Sequence, residues 1–243
     1  MADYENIVIL TGAGISAESG LDTFRDKGGI WEKYDLMELA TPEAFGRNPD
    51  LVHEFYNARR QQVKEVTANK AHHALVQLER HHPGKVTLIT QNVDPLHEEA
   101  GSKNLLHMHG ELNKARCTYC GAVHIWRDDL SQADICPSCG QTGNLRPHIV
   151  WFGEIPFHMP EIEDCLKECD LFISIGTSGS VYPAAGFALT ARTAGAETVE
   201  LNLEPSDGEN LFTTKHYGKA TKVVPEYISI LLRGGIEESG QDI

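Results

Sequence analysis

The chain has 243 residues, 41% of them hydrophobic and 23% charged, a balance that excludes a disordered or fibrous protein. A formal net charge of −14 argues against direct nucleic-acid binding, although it can draw in lysine-rich proteins from a distance. No apolar run is long enough to span a membrane, and the first strand starts close to Met1, so the expectation is a cytoplasmic protein with no membrane partner.

In chain order, Ile7-Val8-Ile9-Leu10 predicts a buried parallel strand. Gly12-Ala13-Gly14-Ile15-Ser16-Ala17 follows with the spacing Gly-x-Gly-x-x-Ala. Strand, glycine turn and helix start suit a phosphate, because glycine lets the backbone approach closely and a helix start offers N–H groups. An ordinary tight turn would use the same glycines. A dehydrogenase would deliver a second strand with an acidic end about 20 residues later. Asp22 to Trp31 is instead polar and glycine-bearing, which predicts a functional loop over the ligand.

Asn48-Pro49 predicts a helix from about Pro49 to Val66, capped by the asparagine. Its apolar side carries Val52, Phe55 and Val63, and with them Tyr56 and Arg59. A guanidinium in an apolar stripe needs an anion, from the protein or a ligand, or a route to solvent. A second helix should follow Asn69 and end near His81-His82, ahead of Pro83-Gly84. The strand Val86–Ile89 then delivers Thr90-Gln91-Asn92-Val93-Asp94-Pro95-Leu96-His97 at its carboxyl end, where ligands gather in open α/β sheets.

His109 closes the stretch Leu105-Leu106-His107-Met108-His109-Gly110. Cys117-x-x-Cys120 and Cys136-x-x-Cys139 enclose residues 121–135, the spacing of a four-thiolate structural zinc site. Two disulfides are the competing arrangement, which a cytoplasmic chain disfavours. Gly121 and Gly140 would let the backbone turn around the metal. The extended run Leu145–Glu154 predicts a return to the main sheet. Cys165 and Cys169, four apart on a helix after Pro160, read as small core residues.

Leu171–Ile175 predicts another buried strand, ending in the glycine turn Gly176-Thr177-Ser178. A small-residue helix from Pro183 to Ala194 and a strand Thr198–Leu201 come next. The latter ends in Asn202-Leu203-Glu204, where an acidic group could meet ribose hydroxyls. A final strand is expected near Thr221–Val224, just after Ala220.

The ordered set Gly12-Ala13-Gly14-Ile15-Ser16, Thr23-Phe24-Arg25, Thr90-Gln91-Asn92-Val93-Asp94, His109-Gly110, both Cys-x-x-Cys pairs, Gly176-Thr177-Ser178 and Asn202-Leu203-Glu204 resembles the sirtuins, NAD-dependent protein-lysine deacylases. Tyr56-x-x-Arg59 resembles the class III branch, in which that pair recognises acidic acyl groups. Asp22, where many relatives have proline, and Pro95, where they have glycine or aspartate, are departures that touch local loop shape.

The resemblance implies an α/β fold: a Rossmann-like parallel-sheet domain from residues 1–30, 70–112 and 146–243, a helical insertion at 31–69, and a structural zinc-ribbon module at 113–145. It implies NAD as co-substrate and one structural zinc on Cys117, Cys120, Cys136 and Cys139. NAD would contact Gly12, Ala13, Gly14, Ile15, Ser16, Ala17, Thr23, Phe24, Arg25, Trp31, Gln91, Asn92, Val93, Gly176, Thr177, Ser178, Asn202, Leu203, Glu204 and Ala220. His109, Asn92 and Asp94 would serve catalysis, with Tyr56, Arg59 and Ala40 around the acyl group of an acylated protein lysine. The implied products are free lysine, nicotinamide and O-acyl-ADP-ribose. A mono-ADP-ribosyltransferase using the same cradle and a non-enzymatic zinc-ribbon adaptor are the alternatives.

Overall fold

The computed structural model describes residues 4–22 and 36–234. Thr23, Phe24, Arg25 and Trp31 lie outside the described residues. Strand β1 (Asn6–Thr11) carries the predicted β-branched run. After it the chain forms two short 3-10 turns, Ala13–Ile15 and Ala17–Ser19, where a regular helix start was expected. Gly20, at φ 103°, ends the second turn after three residues, so no α-helix propagates.

Helix α1 (Pro42–Arg47) begins on Thr41, whose hydroxyl accepts the Ala44 N–H at 3.0 Å. Helix α2 (Pro49–Lys64) has Asn48 as cap and α3 (Lys70–His81) has Asn69, as their sequences predict. Strand β2 (Lys85–Thr90), helix α4 (Leu96–Ala100) and strand β3 (Leu105–His107) follow. Pro95 occupies the cap position of α4, so its missing N–H breaks no helical hydrogen bond.

Three strands then build a separate antiparallel sheet: β4 (Gly110–Cys117), β5 (Val123–Ile125) and β6 (Leu145–Ile149), in the order β5-β4-β6. The segment expected to rejoin the main sheet therefore pairs with β4 instead. Pro147 lacks the N–H a central strand needs, and β6 is an edge strand. The main sheet resumes through α5 (Met159–Glu168), β7 (Leu171–Ile175), α6 (Phe187–Ala194), β8 (Glu197–Asn202) and β9 (Thr214–Tyr217). The run read as a last strand at Thr221–Val224 lies inside α7 (Ala220–Gly234). Its β-branched residues are local, whereas Val224, Ile228 and Leu231 recur at helical spacing and pack onto the core.

The six main strands are parallel in the order β3-β2-β1-β7-β8-β9. Alternation along β1 assigns the layers: Ile7 and Ile9 face Leu75 and Leu78 of α3 and Val224 and Ile228 of α7. Val8 and Leu10 face Ile162 and Leu166 of α5 and Phe187 and Ala191 of α6. The order reverses between β1 and β7, and such a reversal opens a crevice at the carboxyl ends of the strands.

Both glycine turns border that crevice and touch each other. The Gly12 N–H donates to the Ile175 carbonyl at 3.0 Å and the Gly14 N–H to the Gly176 carbonyl at 2.9 Å. A Cβ on Gly14 would stand 2.7 Å from the Gly176 Cα, and one on Gly176 would stand 2.6 Å from the Ile15 nitrogen. Mutual backbone contact therefore accounts for these glycines, before any ligand is considered. Gly14→Ala is expected to cost about 1–3 kcal/mol in chemical denaturation, the penalty of overpacking. An unchanged unfolding midpoint would contradict the contact.

Candidate active site and zinc centre

Sequence-distant polar groups converge at the carboxyl ends of β1 and β2. Thr11 Oγ1 donates to Thr90 Oγ1 at 2.9 Å and lies 3.0 Å from His97 Nε2, all fully buried. The Asn92 amide donates to the Gly12 carbonyl at 3.1 Å and to Ser16 Oγ at 3.3 Å. Ser16 Oγ donates to Asp94 Oδ2 at 3.2 Å, and Asp94 Oδ1 accepts the Leu96 N–H at 3.1 Å. Burial raises the Asp94 pKa, against the opposing pull of those two hydrogen bonds. Ser16, Asn92 and Asp94 are thus one buried unit tied to the first glycine turn.

His109 follows β3. Its Nδ1 lies 3.2 Å from the Gln91 carbonyl, which only accepts, so Nδ1 carries the proton and Nε2 keeps its lone pair. Burial holds the His109 pKa below the ordinary imidazole value, with the Gln91 hydrogen bond opposing. The ring is consequently a neutral base at neutral pH.

Across the crevice, the Asn202 amide donates to the Thr177 carbonyl at 2.8 Å, joining the ends of β7 and β8. Leu203 and Glu204 are exposed beyond that junction, Ser178 is partly exposed in the second glycine turn, and Ala220 opens α7. Val93 accepts the Leu112 N–H at 2.8 Å and packs against the cluster formed by Ala40, Tyr56, Leu112 and Trp151.

That cluster holds two of the three predicted acyl-pocket residues. Tyr56 is 3% exposed, and its oxygen accepts the Trp151 indole N–H at 2.9 Å, which leaves its own proton for a second partner. Burial pushes its pKa up to about 12, so the hydroxyl stays a donor. Arg59, three residues on, is half-buried with Nε and Nη1 screened from solvent. Burial lowers its pKa, opposed by nearby Tyr56, Asp94 and Asp22. The same α2 helix therefore carries a hydroxyl donor and a cation that senses the Asp94 side of the crevice.

The four cysteines form one cluster, with sulfurs all within 4.8 Å of one another. Cys117 and Cys139 Sγ are 3.8 Å apart, as are Cys120 and Cys136. A tetrahedron with Zn–S bonds of about 2.3 Å has sulfurs about 3.8 Å apart, so the donor set fits zinc. That spacing is far beyond a disulfide bond of about 2.05 Å, and all six cysteines are free thiols. Gly121 and Gly140, at φ 74° and 71°, turn each knuckle back, their N–H groups donating to the Cys117 and Cys136 carbonyls. Four thiolates leave no open position, so the metal would act structurally. Zinc chelation or Cys136→Ser is expected to lower the melting temperature by about 2–4 °C per kcal/mol lost. A melting curve indifferent to both would refute that structural role.

Sequence reasoning passed over two features. Trp151, 2% exposed, is sandwiched by Arg146, whose guanidinium carbon stands 3.3 Å from the ring centroid, and capped by Tyr56. Thr41-Pro42 offers the same cap signal as Asn48-Pro49 and marks the helix beside Ala40. The second feature is His107, whose Nε2 meets Glu98 Oε1 at 2.9 Å and whose Nδ1 meets the Asn92 carbonyl at 3.3 Å. Burial pulls its pKa down, yet the Glu98 carboxylate outweighs that and leaves it raised. The signal was the alternation of His107 and His109, but nothing local names Glu98 as partner.

A glycine-lined crevice at a sheet reversal, next to a neutral imidazole and a four-thiolate module, defines a dinucleotide-binding α/β protein with a structural metal site. The profile of the Sir2 family matches residues 12–183, and the chain belongs to that family. It is 55% identical over 234 residues to the NAD-dependent protein deacylase of Pasteurella multocida (strain Pm70), covering 96% of this chain and 100% of that one. Among solved structures, a Sir2 homologue in complex with NAD superposes with a TM-score of 0.87 at 38% identity, covering 96% of this chain and 91% of that chain. A mutant Sir2 homologue in complex with 2′-O-acetyl-ADP-ribose also gives 0.87, at 37% identity, covering 96% and 94%.

Proposed function

We propose that this chain, an NAD-dependent protein deacylase, removes acidic acyl groups such as succinyl and malonyl, as well as acetyl, from protein lysines. Free lysine, nicotinamide and O-acyl-ADP-ribose are the products. The observation that carries the catalytic part is His109, whose Nδ1–H is committed to the Gln91 carbonyl and whose Nε2 lone pair is left basic. NAD would enter as the second substrate: the acyl oxygen of the modified lysine would displace nicotinamide from its ribose carbon, and water would complete release of the lysine amine. His109 Nε2 takes the proton of a ribose hydroxyl, turning it into the nucleophile that receives the acyl carbon. Asn92 and Asp94, held rigid through Ser16, orient ribose and water, and Gln91 fixes the nicotinamide ribose beside the base.

Gly12 to Ala17 and Gly176 to Ser178 cradle the pyrophosphate, with Asn202, Leu203 and Glu204 on the adenosine side. Thr23, Phe24, Arg25 and Trp31 are further coenzyme contacts by family resemblance. Tyr56 and Arg59 take the acyl carboxylate, and Ala40 leaves room for its chain. Support for this pocket comes from the position of Tyr56 and Ala40 in one buried cluster and from the charge of Arg59 one helical turn away. The test offers acetyl-, malonyl- and succinyl-lysine forms of one peptide with NAD and resolves products by mass. All three are expected to yield free lysine and the matching acyl-ADP-ribose. ADP-ribose remaining on the peptide, or reaction of acetyl-lysine alone, would overturn the reading.

A further inference from the structure

Asp50, Glu54, Asn57 and Gln61 are spaced by three and four residues and form one stripe of α2. Tyr56 and Arg59 lie on the other side of that helix. Against the first stripe, Asp129, Leu130 and Ser131, from the segment between the two cysteine pairs, close a crevice of about 430 Å³. Its walls are pinned. The Asn57 amide donates to the Leu130 carbonyl at 3.0 Å and its oxygen accepts the Leu130 N–H at 2.9 Å. The Gln61 amide donates to Asp129 at 2.9 Å, and that of Gln132 to Asp50 at 2.8 Å.

Two observations ask for an occupant. Asp50, Glu54 and Asp129 all border the crevice, and none of them makes an ion pair with a described residue. His53, which also lines it, is only 3% exposed, yet neither ring nitrogen has a hydrogen-bond partner. Burial lowers the His53 pKa, so the ring is neutral and one nitrogen offers a lone pair. Buried polar groups are normally satisfied, so an unsatisfied imidazole beside three carboxylates, two of them holding one amide hydrogen bond each and none ion-paired with a described residue, fits an incoming N–H donor with positive charge.

We propose that this crevice receives an unmodified lysine or arginine side chain of the acylated protein substrate, a second anchor beside the acyl-lysine. The proposal rests on the deacylase reading above. It is favoured over a free cation because the crevice and the acyl pocket share α2, about 10–12 Å across, within reach of one bound polypeptide. A chain of net charge −14 also attracts lysine-rich partners from a distance.

The test pairs two acyl-lysine peptides, one with flanking lysines and arginines and one with glutamines in their place. Wild-type protein is expected to show a KM about 5- to 20-fold lower for the basic peptide, an advantage that added salt erodes. The variant Asp50→Asn/Glu54→Gln/Asp129→Asn keeps the Oδ1 acceptors for Gln132 and Gln61, so its fold and its kinetics on the neutral peptide should be unchanged. Its KM advantage for the basic peptide should vanish. An advantage that survives in the variant, or none in the wild type, overturns the proposal. So does spermidine raising the melting temperature of wild type but not variant without any peptide preference, since the occupant is then a free amine. Failure of the deacylase reading looks different: neither protein would turn over either peptide.

Discussion

His109→Ala is expected to lower kcat/KM for NAD-dependent deacylation by about 10²–10⁴-fold, the usual worth of a positioned general base, with little change in melting temperature. The two parts of that expectation have separate physical origins. Chemically, His109 combines an Nε2 lone pair that no described residue takes with a pKa held below the ordinary imidazole value, so the ring is unprotonated at neutral pH. His97 is also neutral, its pKa well below the ordinary value through burial, but the residue is fully buried, its Nε2 lies against Thr11 and its Nδ1 is closed off from solvent. His107 is engaged at both nitrogens. Structurally, among the described residues the His109 side chain makes one hydrogen bond, to a carbonyl at 3.2 Å, and the main-chain contact from Val150 survives the substitution.

The pH profile gives the same residue a second check. A base works only when deprotonated, so activity falls as pH drops through its pKa. Because burial lowers that pKa, the acid limb should lie below the ordinary imidazole value, and the enzyme should keep its rate on mild acidification. In His109→Ala the residual rate should lose that limb. An acid limb at or above the ordinary value, or one retained in the variant, would remove His109 from the role of base.

How far the sequence speaks follows from the range of the physics involved. Ile7–Leu10, Val86–Ile89 and Leu171–Ile175 were legible because strands buried on both faces are continuous apolar runs, a purely local property. Asn48-Pro49 and Asn69 were legible because a cap reaches only two or three residues. The cysteine spacing was legible because a knuckle closes on itself. Thr221–Val224 misled because four β-branched or neighbouring residues look the same in strand and helix, and only the recurrence through Ile228 and Leu231 decides. The role of Gly14 could not be read locally, since it is set by Gly176 on a distant strand. The pairing of His107 with Glu98 and of Trp151 with Tyr56 likewise depends on which strands become neighbours, and that is a property of the sheet.

Arg59→Met is the variant expected to separate substrates. Methionine keeps much of the length and apolar stem of arginine while removing charge and donors, so the contact of residue 59 with the Phe55 ring on the same helix is largely preserved. A charge-assisted hydrogen bond contributes about 1.5–3 kcal/mol, which predicts a loss of about 10- to 100-fold in kcat/KM for succinyl- and malonyl-lysine. Acetyl-lysine has no carboxylate to pair, so its kcat/KM should change by less than about 2-fold. The loss for succinyl-lysine should appear in KM if the carboxylate is held equally in ground and transition states. Tyr56→Phe provides the graded comparison: it removes one neutral donor, worth about 0.5–1.5 kcal/mol, and releases the Trp151 N–H from its partner. Its selective effect should therefore be smaller than that of Arg59→Met and accompanied by a modest loss for every substrate, because Trp151 shares the buried cluster with Ala40. If Arg59→Met depressed deacetylation as much as desuccinylation, the guanidinium would be supporting the crevice through Asp94 and not reading the acyl chain.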